Sequence, residues 1–86
     1  MENQKLFEEA VLASKQLSPQ SNENLLRLYS LYKQATEGDL NIEKPSNIFD
    51  MVGMAKYNAW SQLVGITKED AMQRYVELVE RLKVGA

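Results

Sequence analysis

The stretch Gly38-Asp39-Leu40-Asn41-Ile42-Glu43-Lys44-Pro45-Ser46-Asn47-Ile48-Phe49-Asp50 carries no convincing helical or alternating period. Asp39, Asn41, Pro45, Ser46 and Asn47 mark it as a connection. Neighbouring helices of a bundle usually need only a few residues between them. A link this long predicts a crossover, not a hairpin between adjacent antiparallel helices.

On either side the period is helical. Residues 22–37 place Leu25, Leu28, Tyr29, Tyr32 and Thr36 on one face, with Ser21 or Asn22 as the cap and Gly38 as the stop. Residues 51–64 follow, with Asp50 as the cap and Gly65 at the end. There Met51, Ala55, Ala59 and Leu63 share a face, flanked by Met54 and Trp60. Further out, residues 3–16 repeat Leu6, Ala10, Ala13 and Leu17 at steps of four and three, widened by Phe7 and Val11. Ser18-Pro19-Gln20-Ser21 ends that helix. Thr67-Lys68-Glu69-Asp70 resembles a capping box and opens a helix over 68–83, with the stripe Ala71, Met72, Tyr75, Leu78, Val79 and Leu82. No segment alternates in the manner of a strand. The expected fold is all-α, a four-helix bundle forming one domain over residues 1–86.

Composition removes several function classes. The net charge of -2 offers no basic field for nucleic acid. With no Cys there are no disulfides, which suits the cytoplasm. With no Cys and no His, the usual catalytic triads and zinc sites are absent, and no metal or cofactor is expected. The polar, acidic start at Met1-Glu2-Asn3-Gln4-Lys5 is unlike a signal peptide. The longest apolar run, Ala10 to Ala13, is far short of a membrane span.

The densest aromatic and basic cluster is Tyr29-Ser30-Leu31-Tyr32-Lys33. Tyr29 and Lys33 are four apart and share a helix face, which Tyr32 borders. A phenol can donate to a phosphate while its ring packs on apolar neighbours. A lysine adds opposite charge, and a second aromatic can stack on a base. The plainer reading makes these tyrosines core residues with their hydroxyls at the rim. Lys56 stands beside the small residues Ala55 and Ala59, where a ligand or helix can approach closely. Tyr75 lies within an apolar stripe, and Trp60 with Leu63 reads as core. The carboxylates do not converge, and Gly38-Asp39 lacks phosphate-loop spacing.

Longer motifs carry a resemblance. Tyr29-Ser30-Leu31-Tyr32-Lys33-Gln34-Ala35-Thr36-Glu37-Gly38-Asp39, Lys44-Pro45, Ala55-Lys56-Tyr57-Asn58-Ala59-Trp60 and Gly65-Ile66-Thr67-Lys68-Glu69-Asp70-Ala71-Met72 follow one another in order. Together with Phe7, Ala10, Lys15, Leu17 and Tyr75, they resemble the acyl-CoA-binding protein family along essentially the whole chain.

The resemblance implies an up-down-down-up layout and 1:1 binding of medium- to long-chain acyl-CoA by a non-catalytic, monomeric carrier in the cytoplasm. Acyl-CoA-using enzymes would be its possible protein partners. By position, Tyr29, Lys33 and Lys56 would hold the ribose 3′-phosphate, and Tyr32 and Tyr75 would flank adenine and ribose. Lys15 would lie near the ligand. Leu25, Leu26 and Ala55 would line the acyl groove, with Ala10 and Val11 opposite. Departures are Tyr57 in place of the family's Trp, and Val52 and Met54 where Lys is common. The competing readings are an acyl-CoA thioesterase and a helical protein-interaction module.

Overall fold

The computed structural model describes residues 2–84, so Met1, Gly85 and Ala86 of the expected single domain lie outside it. Four helices follow in order: α1 (Glu2–Ser14), α2 (Asn22–Glu37), α3 (Met51–Ser61) and α4 (Lys68–Lys83). A side-chain oxygen satisfies one orphan N–H group at each of three N-termini. Ser21 accepts from the Asn24 N–H at 3.1 Å, Asp50 from Gly53 at 2.9 Å and Thr67 from Asp70 at 3.0 Å. The carboxylate of Asp70 does not complete a capping box; it pairs with Arg74 at 3.2 Å.

Two helices end earlier than their periodicity suggests. α1 stops at Ser14, and the N–H groups of Lys15, Gln16 and Leu17 turn to carbonyls three residues back. α3 stops at Ser61, not near residue 64, because Leu63 and Val64 donate to Trp60 and Ser61 in the same tighter pattern. Gly38 and Gly65 then turn the chain at φ 84° and 97°, conformations that favour glycine.

The pairings fix the topology. Lys56 faces Tyr29 and Lys33 faces Trp60, so one step of four along α2 matches one step of four along α3. The two helices are parallel, as a crossover requires. The start of α1 lies near that of α4, where Asn3 and Leu6 share a surface cleft with Met72 and Gln73; Ala13 and Leu17 lie beside Leu82 at the other end. α1 and α4 are therefore parallel too, and the layout is up-down-down-up.

The core is built mainly by α1, α2 and α4. Phe7, Ala10, Leu28, Ala35, Ala71, Tyr75, Leu78, Val79 and Leu82 form one buried cluster. The α4 stripe read from sequence is correct. The other stripes are rotated. Leu6 is exposed and Phe7 takes its place. On α2, Leu28 and Ala35 are buried while Leu25, Tyr32 and Thr36 face out. On α3 only Trp60 is buried, and Met51 is 77% exposed. α3 packs on α2 alone among the helices, so one stripe suffices.

A buried polar chain ties this assembly together. Trp60 Nε1 donates to Gln34 Oε1 at 3.1 Å and to the Gly38 carbonyl at 3.0 Å. Gln34 Nε2 donates to Asp39 Oδ1 at 2.9 Å and to the Ile66 carbonyl at 2.7 Å. The Gly65 N–H donates to the same Asp39 oxygen at 2.9 Å. Gln34 is fully buried, and its amide joins α2, the crossover, α3 and the turn before α4. Such a network specifies one arrangement when every member is satisfied.

Candidate ligand-binding site

The outward face of α2 meets α3 along an open groove of about 380 Å³. Leu25, Leu26 and Tyr29 form one wall, and Met51, Val52, Ala55 and Lys56 the other, with Asn22 at the mouth. The groove is polarised by the parallel register. Its far end, at the two helix N-termini, is lined by Leu25, Met51 and Val52. Its near end holds Lys56, whose Nζ lies 5.2 Å from the Tyr29 ring centroid. One turn further, Lys33 Nζ lies 5.2 Å from the ring centroid of Trp60. Both distances suit cation–π attraction.

Lys33 is already engaged by Glu37 on the next turn of α2. That hydrogen bond, against some desolvation, holds the Lys33 ammonium above its ordinary pKa. The same bond holds the Glu37 carboxyl below its own, helped by the Asn41 amide. Glu37 is thus a charged competitor for any anion that Lys33 would bind.

Tyr32 leans toward the other side of α2. Its ring stacks on Phe7 at 6.0 Å between centroids and lies 6.4 Å from Tyr75. Tyr32 is 41% exposed, so one face of this aromatic group is open. Tyr75 is behind it, 4% exposed and edge-on to Phe7 at 5.2 Å. Burial pushes the Tyr75 phenol above its ordinary pKa, and the hydroxyl donates to Ser14 Oγ at 3.1 Å.

The structure therefore gathers Leu25, Leu26, Tyr29, Ala55 and Lys56 in the groove and sets Lys33 and Tyr32 beyond its near end. Tyr75 supports Tyr32 from within the core. Lys15 is exposed just past α1, next to the Ser14 that meets Tyr75. Ala10 and Val11 do not face the groove: Ala10 is in the main core and Val11 packs against it. Sequence reading missed Met51 and Val52 as groove walls, Trp60 beneath Lys33, and Glu37. The four-residue spacing of Lys33 and Glu37 was the available signal for the last. No group of His, Cys, Asp or Glu among the described residues could hold a metal ion. No described helix is long and apolar enough to cross a membrane.

Comparison with known proteins agrees with this geometry. The family model "Acyl CoA binding protein" matches residues 4–79. The "Acyl-CoA-binding protein" of Dictyostelium discoideum is 49% identical over 77 residues, covering 88% of this chain and 90% of that one. "Enoyl-CoA delta isomerase 2" of Homo sapiens is 47% identical over 81 residues, covering 93% of this chain but only 20% of that protein. The crystal structure of Oryza sativa Acyl-CoA-Binding Protein 2 superposes with a TM-score of 0.91 at 39% identity, covering 96% of this chain and 92% of that one. With the family model spanning most of its length, this chain belongs to the acyl-CoA-binding protein family.

Proposed function

We propose that this protein binds medium- to long-chain acyl-CoA esters, one per chain, and carries them without chemical change. The observation that carries the reading is the polarity of the α2–α3 groove, with two lysines and a phenol at one end and aliphatic walls at the other. Tyr29, Lys33 and Lys56 hold the ribose 3′-phosphate. Tyr32 offers its open ring face to adenine, and Tyr75 fixes that ring from behind. Leu25, Leu26 and Ala55 cover the tail. Lys15 contributes positive charge from the α1 side.

The magnitudes divide the work. A charge-assisted hydrogen bond to phosphate contributes about 1.5–3 kcal/mol. Each buried methylene contributes about 0.8 kcal/mol, so roughly ten of them approach 8 kcal/mol before association costs. The head sets specificity and the tail sets most of the affinity. Nothing in this account needs a nucleophile, a general base or a cofactor. The cysteine-free sequence suits a reducing compartment, and the proposal is of a monomer in the cytoplasm that hands its ligand to acyl-CoA-using enzymes.

Isothermal titration calorimetry with palmitoyl-CoA, free coenzyme A and free palmitate tests the reading. Tight equimolar binding of the ester, with far weaker binding of either half, is expected. Absence of heat for the ester at micromolar concentrations would remove the proposal. Release of free coenzyme A under turnover conditions would replace the carrier with an enzyme.

A further inference from the structure

We propose that Ile48 and Phe49, at the end of the crossover, form an apolar shelf that receives the last carbons of a long acyl tail. The inference rests on the carrier reading and deepens it toward long-chain esters. From Tyr29 at the charged end to Asn22 at the open end, the groove runs about 10 Å, at about 1.5 Å of rise per residue. A long acyl chain spans about half of a bilayer's ~30 Å hydrocarbon core, so about 15 Å. Such a tail, entering the groove with its thioester beside Tyr29 and the pantetheine arm folded outside, overruns the groove at the N-termini of α2 and α3.

The two sides of that exit differ. On the α2 side the chain is Ser21, Asn22 and Glu23, all exposed and polar. On the α3 side it is Phe49 and Ile48, 84% and 82% exposed. Met51 and Val52 join this surface to the groove, because they line the groove and are themselves 77% and 66% exposed. Isolated apolar residues at a surface are ordinary, but a run that continues a groove marks a binding surface.

The shelf is held by its backbone. Asn47 Oδ1 accepts the Phe49 N–H at 2.9 Å, and the Asn47 carbonyl accepts the Asp50 N–H at 3.0 Å. Asp50 then caps α3 through the Gly53 N–H at 2.9 Å. These bonds fix the turn that carries Ile48 and Phe49 to the end of α3, while both side chains remain open. A tail that lies across them exchanges water for apolar contact on one side.

The test is a chain-length series of octanoyl-, dodecanoyl-, palmitoyl- and eicosanoyl-CoA, titrated into wild type and into the double variant Ile48→Ser/Phe49→Ser. Both positions are exposed, and circular dichroism checks that the fold is kept. The expected result is an affinity loss that grows with length, below about twofold for octanoyl and about tenfold for the longest esters. Equal loss at every length, or no loss at any, overturns the shelf. Concentration-dependent sedimentation of wild type that the double variant abolishes, with unchanged ester binding, also overturns it and gives the patch to a second copy. If wild type binds no ester of any length, the carrier reading itself fails, a result distinct from a failure of the shelf alone.

Discussion

Lys56 Nζ stands 5.2 Å from the centre of the Tyr29 ring, across the seam between α2 and α3. The ring holds the ammonium on one side and leaves its other N–H groups free for an anion. Lys56→Ala is expected to weaken palmitoyl-CoA binding about ten- to hundredfold, the loss of one charge-assisted phosphate contact. Lys56 is exposed, so the melting temperature should stay nearly unchanged. Titration calorimetry paired with thermal unfolding checks both halves, and full affinity in this variant would contradict the assignment.

Glu37 supplies a change of opposite sign. Its carboxylate engages the Lys33 ammonium, so a bound phosphate must share or displace it. Glu37→Gln keeps the shape and removes the charge. The ester should bind more tightly, by up to about fivefold, with the gain largest at low ionic strength. A weaker complex would mean that Glu37 positions Lys33 for the ligand instead of competing with it.

Trp60→Phe probes the buried polar chain. The substitution removes the N–H that serves both Gln34 Oε1 and the Gly38 carbonyl. Leaving buried acceptors unpaired should cost about 2 kcal/mol, and for a domain of this size that lowers the melting temperature by roughly 10 °C. Chemical denaturation should show a lower midpoint with an unchanged slope. A variant as stable as wild type would show that water replaces the indole.

Asp39 gives the pH dependence. Its carboxyl lies below the ordinary value of 3.8, chiefly because the Gly65 N–H donates to it, with the Gln34 amide adding to the effect. A depressed folded pKa stabilises above the unfolded value and loses that contribution as pH falls through the folded one. Asp39→Asn should therefore melt below wild type at neutral pH, and the two curves should converge as pH falls below 3.8. Parallel curves across that range would exclude Asp39 as the source.

The helices and the crossover were legible because their signals are local: caps at Ser21, Asp50 and Thr67, glycines at residues 38 and 65, and an aperiodic run between α2 and α3. The inward face of α2 was not legible. Leu25, Tyr29 and Tyr32 are apolar enough to read as core, yet Leu25 and Tyr29 line the groove and Tyr32 is exposed beside Phe7, while polar Gln34 is fully buried. Periodicity identifies an apolar stripe without saying whether protein or ligand covers it. The burial of Gln34 depends on partners far along the chain, Trp60 and Ile66, which local spacing does not reveal. Tyr75 was placed beside the ligand by resemblance and in the core by its stripe; it is buried behind Tyr32, with its hydroxyl on Ser14.

The docking of α3 on α2 alone among the helices has a consequence for motion. Helices seated against several neighbours open only when the whole domain unfolds, whereas one seated on a single neighbour can detach by itself. The backbone amides of residues 54–61 should therefore exchange with deuterium through a local opening, sooner than those of α4 around Val79. An ester lying across Tyr29 and Lys56 would fasten α3 to α2, and exchange in α3 would slow more than anywhere else in the chain.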